Sequence, residues 1–428
     1  MRQLLLFMIV FMTVPLSFAA PQVALLSWAW LSFMKTNTLA YMSFPIIYAA
    51  GIITAISWVI SRERKRLPVN PLPVLVILFM CQMTVSSYFG LEQRTVWEFW
   101  SRNIKSVLLG LFVMAVMVNR VRLHALAWVI VISLGFYSVK GGLFTIVTGG
   151  GGQVLAIAGV DNNISAVEML TAWPLMNYLR LQSGSRLVRG ALAVMMGLTP
   201  IAVMGTYSRG GLIALAVTLG YFWWKSKRKV MIAICGAAVL IPSIQMMPDR
   251  WAQKMNTISK YEEVGTAQER LRTWNMSFAI ALDRPFVGVG MEGILSPAVN
   301  DRYDPGRDRL EAHSIWFQTM SDHGFVGFLL FVAIAAMAWQ SGNSVRRRAR
   351  ARPEFAWASD LATMCQLCMA GFFLGGSFVS VAYYDVYWSI VAIMAVLREI
   401  VPKPVTSVIA VRPPIAQGGP QPVGSLPS

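Results

Sequence analysis

The 428 residues are 56% hydrophobic and only 13% charged, with a mean hydropathy of +0.56. A soluble chain carries roughly 25% charged residues, and no aqueous core absorbs this much apolar surface, so lipid must be the solvent. The formal charge of +17 would suggest nucleic acid in a soluble protein, but here the basic residues stand in short runs between apolar stretches, which argues against that partner and fits cytoplasmic loops.

The N-terminus imitates a signal peptide, with Arg2, an apolar run from Leu4 and then Ser17-Phe18-Ala19. More apolar sequence follows at once, so the segment is expected to stay attached and add one or two spans. The stretch 23–34 is short for a crossing and suits an interfacial or re-entrant segment. Further spans are predicted at 39–60, 72–89, 104–118, 123–139, 164–179, 187–205, 210–224, 230–246, 314–339, 357–380 and 383–397. The expected fold is all-α, a polytopic membrane protein of about 12 transmembrane helices with one large periplasmic loop.

Three basic runs set the expected orientation: Arg62-Glu63-Arg64-Lys65-Arg66, Lys225-Ser226-Lys227-Arg228-Lys229 and Arg346-Arg347-Arg348-Ala349-Arg350-Ala351-Arg352. With these in the cytoplasm, residues 1–247 form N-terminal transmembrane helices and 248–313 a periplasmic loop. Residues 314–400 form C-terminal transmembrane helices, and the Pro-, Gly- and Ser-rich 401–428 a disordered cytoplasmic tail. Arg209 then falls at the outer mouth of its span, and 149–163 also lies outside.

Several polar groups need a reason. Arg209 either snorkels to the interface or serves a site, since ionisable groups at membrane depth are costly; its flanking glycines would let a large anionic headgroup approach the backbone. In the outer loop, residues 274–281 suggest a helix on the membrane surface that ends at Asp283-Arg284-Pro285. Gly288 and Gly290 suggest a flexible turn, without the strand or further glycine of a dinucleotide site.

There are three histidines. His124 sits in a cytoplasmic turn and is expected to be solvated. His313, at the water–membrane boundary, suits proton transfer. His323 is its rival, at a polar break that would make 314–321 an outer surface helix. Cys81 and Cys235 lie in apolar spans, and Cys365 and Cys368 are expected to pack one turn apart inside a helix. No metal-ligand cluster or paired-carboxylate motif is apparent. Arginines on an outer face suit phosphate oxygens, so the residues suggest a site for a phosphorylated lipid with a histidine to handle a proton.

Thr206-Tyr207-Ser208-Arg209-Gly210-Gly211-Leu212, Arg270-x-x-x-Trp274, Asp283-Arg284-Pro285-x-x-Gly288-x-Gly290, and Ala312-His313-Ser314 with Gly324-Phe325-Val326-Gly327 resemble the O-antigen ligase and polymerase superfamily. Phe136-Tyr137-Ser138-Val139-Lys140-Gly141-Gly142-Leu143-Phe144, Asp161-Asn162-Asn163, Tyr261-Glu262-Glu263 and Ala382-Tyr383-Tyr384-Asp385-Val386-Tyr387-Trp388 look more closely like the O-glycosylation ligases associated with the exosortase A system. The resemblance implies transfer of a glycan from undecaprenyl diphosphate to a protein, lipid or polysaccharide acceptor, outside the bacterial inner membrane, with no cofactor and no metal. It carries the essential groups onto Arg209, Arg270 and His313. Glu269 stands where the family usually has glycine, which leaves Arg272 open beside Arg270 as a diphosphate ligand. Asp161, Asp385 and His323 are further candidates. Polymerisation of lipid-linked repeat units would use a similar site, and a lipid-linked glycan flippase is the alternative of another class.

Overall fold

The computed structural model describes residues 12–36, 45–154, 161–225, 229–256, 265–350 and 352–402. The signal-like residues 1–11, the stretches 156–160 and 261–263, and the expected tail from residue 403 onward lie outside them.

Every regular element among the described residues is helical. In chain order they are α1 (Pro21–Phe33), α2 (Ile46–Ile60), α3 (Pro71–Tyr88), α4 (Gln93–Val116), α5 (Arg120–Val147), α6 (Asn162–Gln182), α7 (Arg186–Gly205), α8 (Arg209–Lys225), α9 (Lys229–Met246), α10 (Asp249–Asn256), α11 (Gly265–Asp283), α12 (Pro297–Tyr303), α13 (Ile315–Ala349), α14 (Ala356–Gly376) and α15 (Asp385–Ile400). Caps fall where side-chain chemistry supplies them. Asn70, Asn119, Asp161 and Ser185 each accept a backbone N–H in the first turn of the helix that follows, satisfying donors that have no intrahelical partner.

Seven helices among the described residues are long and apolar enough to cross a membrane, fewer than the predicted dozen. The difference has identifiable causes. Helices α8 and α15 are short, with 17 and 16 residues. Helix α6 carries Glu168 in its interior. Helices α6 and α15 are also central, with the continuous runs Ser165–Met176 and Val386–Leu397 buried by neighbours. A helix wrapped in protein need not be apolar enough for lipid. Around them, α6 packs on α7 and α14, α15 on α4 and α13, and α13 on α3, α11 and α14. Helix α9 has the opposite character, exposing Met231, Ile234, Ile241 and Ile244, as a lipid-facing surface would.

The basic segments gather at one end of the bundle. Arg122 makes a two-pronged pair with Glu63, at 2.7 and 2.5 Å, and this pairing lowers the Glu63 pKa. Gln182 donates to Asp360, and Arg348 donates to the Arg398 and Val401 carbonyls. The opposite helix ends meet elsewhere: Asn162 of α6 reaches Thr206, and Trp316 of α13 reaches Ser377 after α14; Asn103, midway along α4, reaches Glu292.

Helix α13 is broken at Gly324, where φ is 65° and ψ −167°. Its N-terminal arm is no surface helix: Ile315 and the run 318–324 are buried. Nor is 285–290 a flexible turn. Val289 and Gly290 N–H groups donate to the Ser321 and Asp322 carbonyls at 2.9 and 3.1 Å, and the Phe325 N–H donates to the Pro285 carbonyl at 2.8 Å. The turn thus satisfies the backbone groups that the break releases. Gly288 faces the Ser321–Asp322 backbone and Gly324 the Arg284–Pro285 backbone, with no room for a Cβ on either. Helix α11 is likewise not simply laid on a surface, because Met276, Ile280 and Ala281 are buried and Trp274 stacks on Phe317.

Candidate active site

Arg209 opens α8. The preceding Tyr207 has a left-handed backbone, φ 58°, a costly conformation for a bulky residue. It is held by its buried phenol, which donates to the Gly150 carbonyl at 2.5 Å. Ser208 caps α8 by accepting the Gly211 N–H at 2.9 Å, while its own hydroxyl donates to Asn163 at 2.7 Å. Asn162 donates to the Thr206 carbonyl at 2.9 Å. The Asp161-Asn162-Asn163 motif therefore braces the turn that presents Arg209. Asp161 itself caps α6 through the Asn163 N–H.

The glycines after Arg209 do not leave the backbone open to a ligand, as the sequence suggested. A Cβ on Gly211 would lie 2.6 Å from the Ala166 Cβ, and one on Gly210 would lie 3.2 Å from the Phe378 Cβ. They let α8 close onto α6 and onto the 377–384 segment between α14 and α15.

That segment also holds His313. The His313 N–H donates to the Ser380 hydroxyl at 2.9 Å, and the Ala382 N–H donates to Gln318 of α13 at 3.0 Å. His313 is half-buried, with φ 47°. Helix α11 reaches the same place from the other side, where the Trp274 indole N–H donates to the Ala312 carbonyl at 2.9 Å. Arg270 lies one turn earlier and shares the Trp274 face of α11. Arg272 differs: its guanidinium pairs with Asp304 at 3.2 Å and donates to the Asp308 carbonyl at 2.8 Å, fastening the loop beyond α12.

His323 is fully buried. Its Nε2 lies 2.8 Å from the Tyr383 hydroxyl, which also donates to Asp322 Oδ2 at 2.8 Å, and the ring meets Phe79 edge-on. Asp385 begins α15 with one carboxylate oxygen shut away from solvent, near Lys35 and Lys105 and hydrogen-bonded to Ser106. His124 is not simply solvated, because it packs between Trp128 and Tyr178. Cys365 and Cys368 are buried in α14.

Sequence reading overlooked four groups. Glu168 is buried in α6 and paired with Lys35; nothing in the local pattern marks a partner so far away in the chain. Asp322 and Tyr383 flank His323, and both lie inside motifs already singled out. Glu292 has φ 49° and accepts from Asn103 at 3.1 Å. Burial lifts it to about 7, against the Asn103 hydrogen bond, with the nearby Glu311 charge adding to the rise.

Glu292 and Asp322 border a cavity of about 390 Å³ that is also walled by Phe99, Arg102, Glu311 and Ser380, among others. A larger, mostly apolar groove of about 780 Å³ lies between α6, α7, α8, α9 and α14, with Arg180 on its wall. Among the described residues, no three His, Cys, Asp or Glu side chains are grouped as a metal set.

Comparison with known families matches residues 191–332 to the family described as O-Antigen ligase, and residues 1–173 to a family of unknown function (DUF5935). The stretch similar to the O-Antigen ligase family includes Arg209, Arg270 and His313. No curated protein matches the chain.

Proposed function

We propose that this multi-pass membrane protein is a glycosyltransferase of the O-glycosylation ligase type, working with the exosortase A system. It moves a glycan from undecaprenyl diphosphate to a surface acceptor on the periplasmic side of the inner membrane. The observation that carries this proposal is the meeting of the segments that bear these residues: Gly210, next to Arg209, packs on Phe378, the His313 N–H donates to Ser380, and Trp274 on the Arg270 face of α11 donates to the Ala312 carbonyl.

In the reaction, the acceptor hydroxyl attacks the anomeric carbon and the bond from that carbon to the diphosphate oxygen breaks. The hydroxyl proton goes to the His313 imidazole as general base. Negative charge grows on the departing diphosphate, where Arg209 and Arg270 stabilise it. Arg209 has the added advantage of a helix N-terminus, whose dipole favours an anion. No metal is assigned a part, because arginines supply the phosphate-binding charge.

The basic runs at the opposite end of the bundle support the orientation. A flippase would need charged groups along a route across the bilayer; the proposed arginines and His313 instead gather at one end. Reconstitution in liposomes with lipid-linked glycan and candidate acceptors, scored by mass spectrometry with and without EDTA, tests the proposal. Glycan-bearing acceptor in both conditions is expected. Donor binding with no product would overturn it, and loss of product in EDTA with rescue by a divalent ion would remove the metal-independent mechanism.

A further inference from the structure

The cavity beside His313 has a character that the diphosphate chemistry does not use. Its wall carries three carboxylates, Glu292, Glu311 and Asp322, against one guanidinium, Arg102. A wall of carboxyl groups offers hydrogen bonds and not the clustered cations that hold a diphosphate, so it complements the arginines and does not extend them. Asp322 is fully buried. Its Oδ2 accepts the Tyr383 hydroxyl, while its Oδ1 has no hydrogen-bond partner among the described residues. A buried carboxylate oxygen left in that state is costly, and a ligand that donates a hydrogen bond would relieve the cost. Phe99 gives the same cavity an aromatic face. Ser380, whose hydroxyl accepts the His313 backbone N–H, and Ala312 form part of the wall, so the cavity adjoins the segment that carries the proposed base.

Carboxyl oxygens, an aromatic face and a small volume suit a neutral polyhydroxyl ring better than a phosphate or an acyl chain. Resting on the transfer reaction proposed above, we infer that this cavity is a carbohydrate subsite. It seats the sugar presented to His313, with Asp322 Oδ1 accepting a sugar hydroxyl and Glu311 lining the rim. The sugar comes either from the donor glycan or from the acceptor, and the chemistry of the wall is the same for both.

The full-length protein in nanodiscs distinguishes them. Two probes are used: lipid-linked glycan extracted from the producing cells, and undecaprenyl diphosphate stripped of its glycan. If the donor sugar sits in the cavity, wild type prefers the glycan-bearing lipid, and Asp322→Asn narrows that preference roughly tenfold without weakening the bare lipid, as expected for losing one hydrogen bond. If the acceptor sits there, the donor preference is unchanged and the acceptor KM rises roughly tenfold at similar kcat. Glu311→Gln, on an exposed residue, provides the same comparison should Asp322→Asn fail to insert. Unchanged donor preference and acceptor KM in these variants, with wild-type transfer intact, overturn the subsite alone. Saturable Ca²⁺ binding lost in Asp322→Asn would make the cavity a cation site and overturn it too. Absence of any wild-type transfer would overturn both the subsite and the reaction on which it rests.

Discussion

The Trp274 indole N–H donates to the Ala312 carbonyl at 2.9 Å while its ring stacks on Phe317, centroids 5.1 Å apart. One side chain therefore ties α11 both to the segment carrying His313 and to the first turn of α13. Arg270, four residues earlier on α11, is set relative to His313 by this contact. Arg272 sits on a different face and is engaged by Asp304 and the Asp308 carbonyl.

The two arginines should thus fail differently. Arg270→Ala is expected to cut turnover by about a hundredfold or more, the usual cost of one electrostatic transition-state contact, at near-normal thermal stability. Arg272→Ala should instead lower the melting temperature and raise protease sensitivity around 304–308, with a smaller effect on kcat. Turnover and melting curves for the two variants decide it, and the opposite pattern would assign the diphosphate to Arg272.

Arg209 and the histidines separate by role. Arg209→Lys keeps the charge but loses the planar fork, so most activity should go. His313→Ala should abolish transfer and leave lipid-linked donor binding nearly intact. His323→Ala removes a buried ring and the partner of the Tyr383 hydroxyl, so it should lower stability by about 2–4 kcal/mol and reduce the amount inserted, with turnover per inserted molecule largely kept. If His323→Ala is inserted normally and dead while His313→Ala is active, the proton acceptor is His323.

Gly324 is irreplaceable for a backbone reason. Its φ of 65° and its closeness to the Pro285 carbonyl leave no place for a methyl group. Gly324→Ala should destabilise the protein by roughly 1–3 kcal/mol from backbone conformation alone, with steric displacement of the 285–290 turn added. Thermal unfolding in detergent measures it, and an unchanged melting temperature would show that the break tolerates a side chain.

Glu292 makes stability depend on pH. Its carboxyl is raised from an ordinary 4.5 to about 7, so the folded protein favours the protonated form. The stabilisation is full below about 4.5 and is lost as pH rises through about 7. Glu292→Gln keeps an oxygen to accept from Asn103 and removes the titration. The fall in melting temperature between about pH 5 and pH 8 should therefore be smaller in the variant. Equal falls in both proteins would assign the pH dependence to other groups.

Orientation is tested by thiol labelling. Ser296 is buried and caps α12, so the exposed Asp301 carries the reporter, with the exposed Arg64 for the opposite end. A membrane-impermeant reagent applied to cells with a permeabilised outer membrane should label Asp301→Cys and miss Arg64→Cys. The reverse would place His313 in the cytoplasm.

Helical class and membrane character were legible in the sequence, because apolar runs and basic clusters are local properties that lipid and charge act on directly. So were the end of α11 at Asp283, where proline cannot continue the helix, and the polar break after His323. The pairing of that break with the 285–290 turn was not legible, since two glycine motifs explain each other only when their backbones meet. The sequence marked Arg209, Arg270 and His313 as separate motifs; packing of 377–384 and α11 brings the segments that carry them together. Tertiary structure also decided that Gly210 and Gly211 serve helix packing, that Arg272 is spent on its own loop, and that Glu168 finds Lys35 across the core. Each of these depends on which distant side chain fills the neighbouring space, a property of the assembled bundle that no stretch of chain contains by itself.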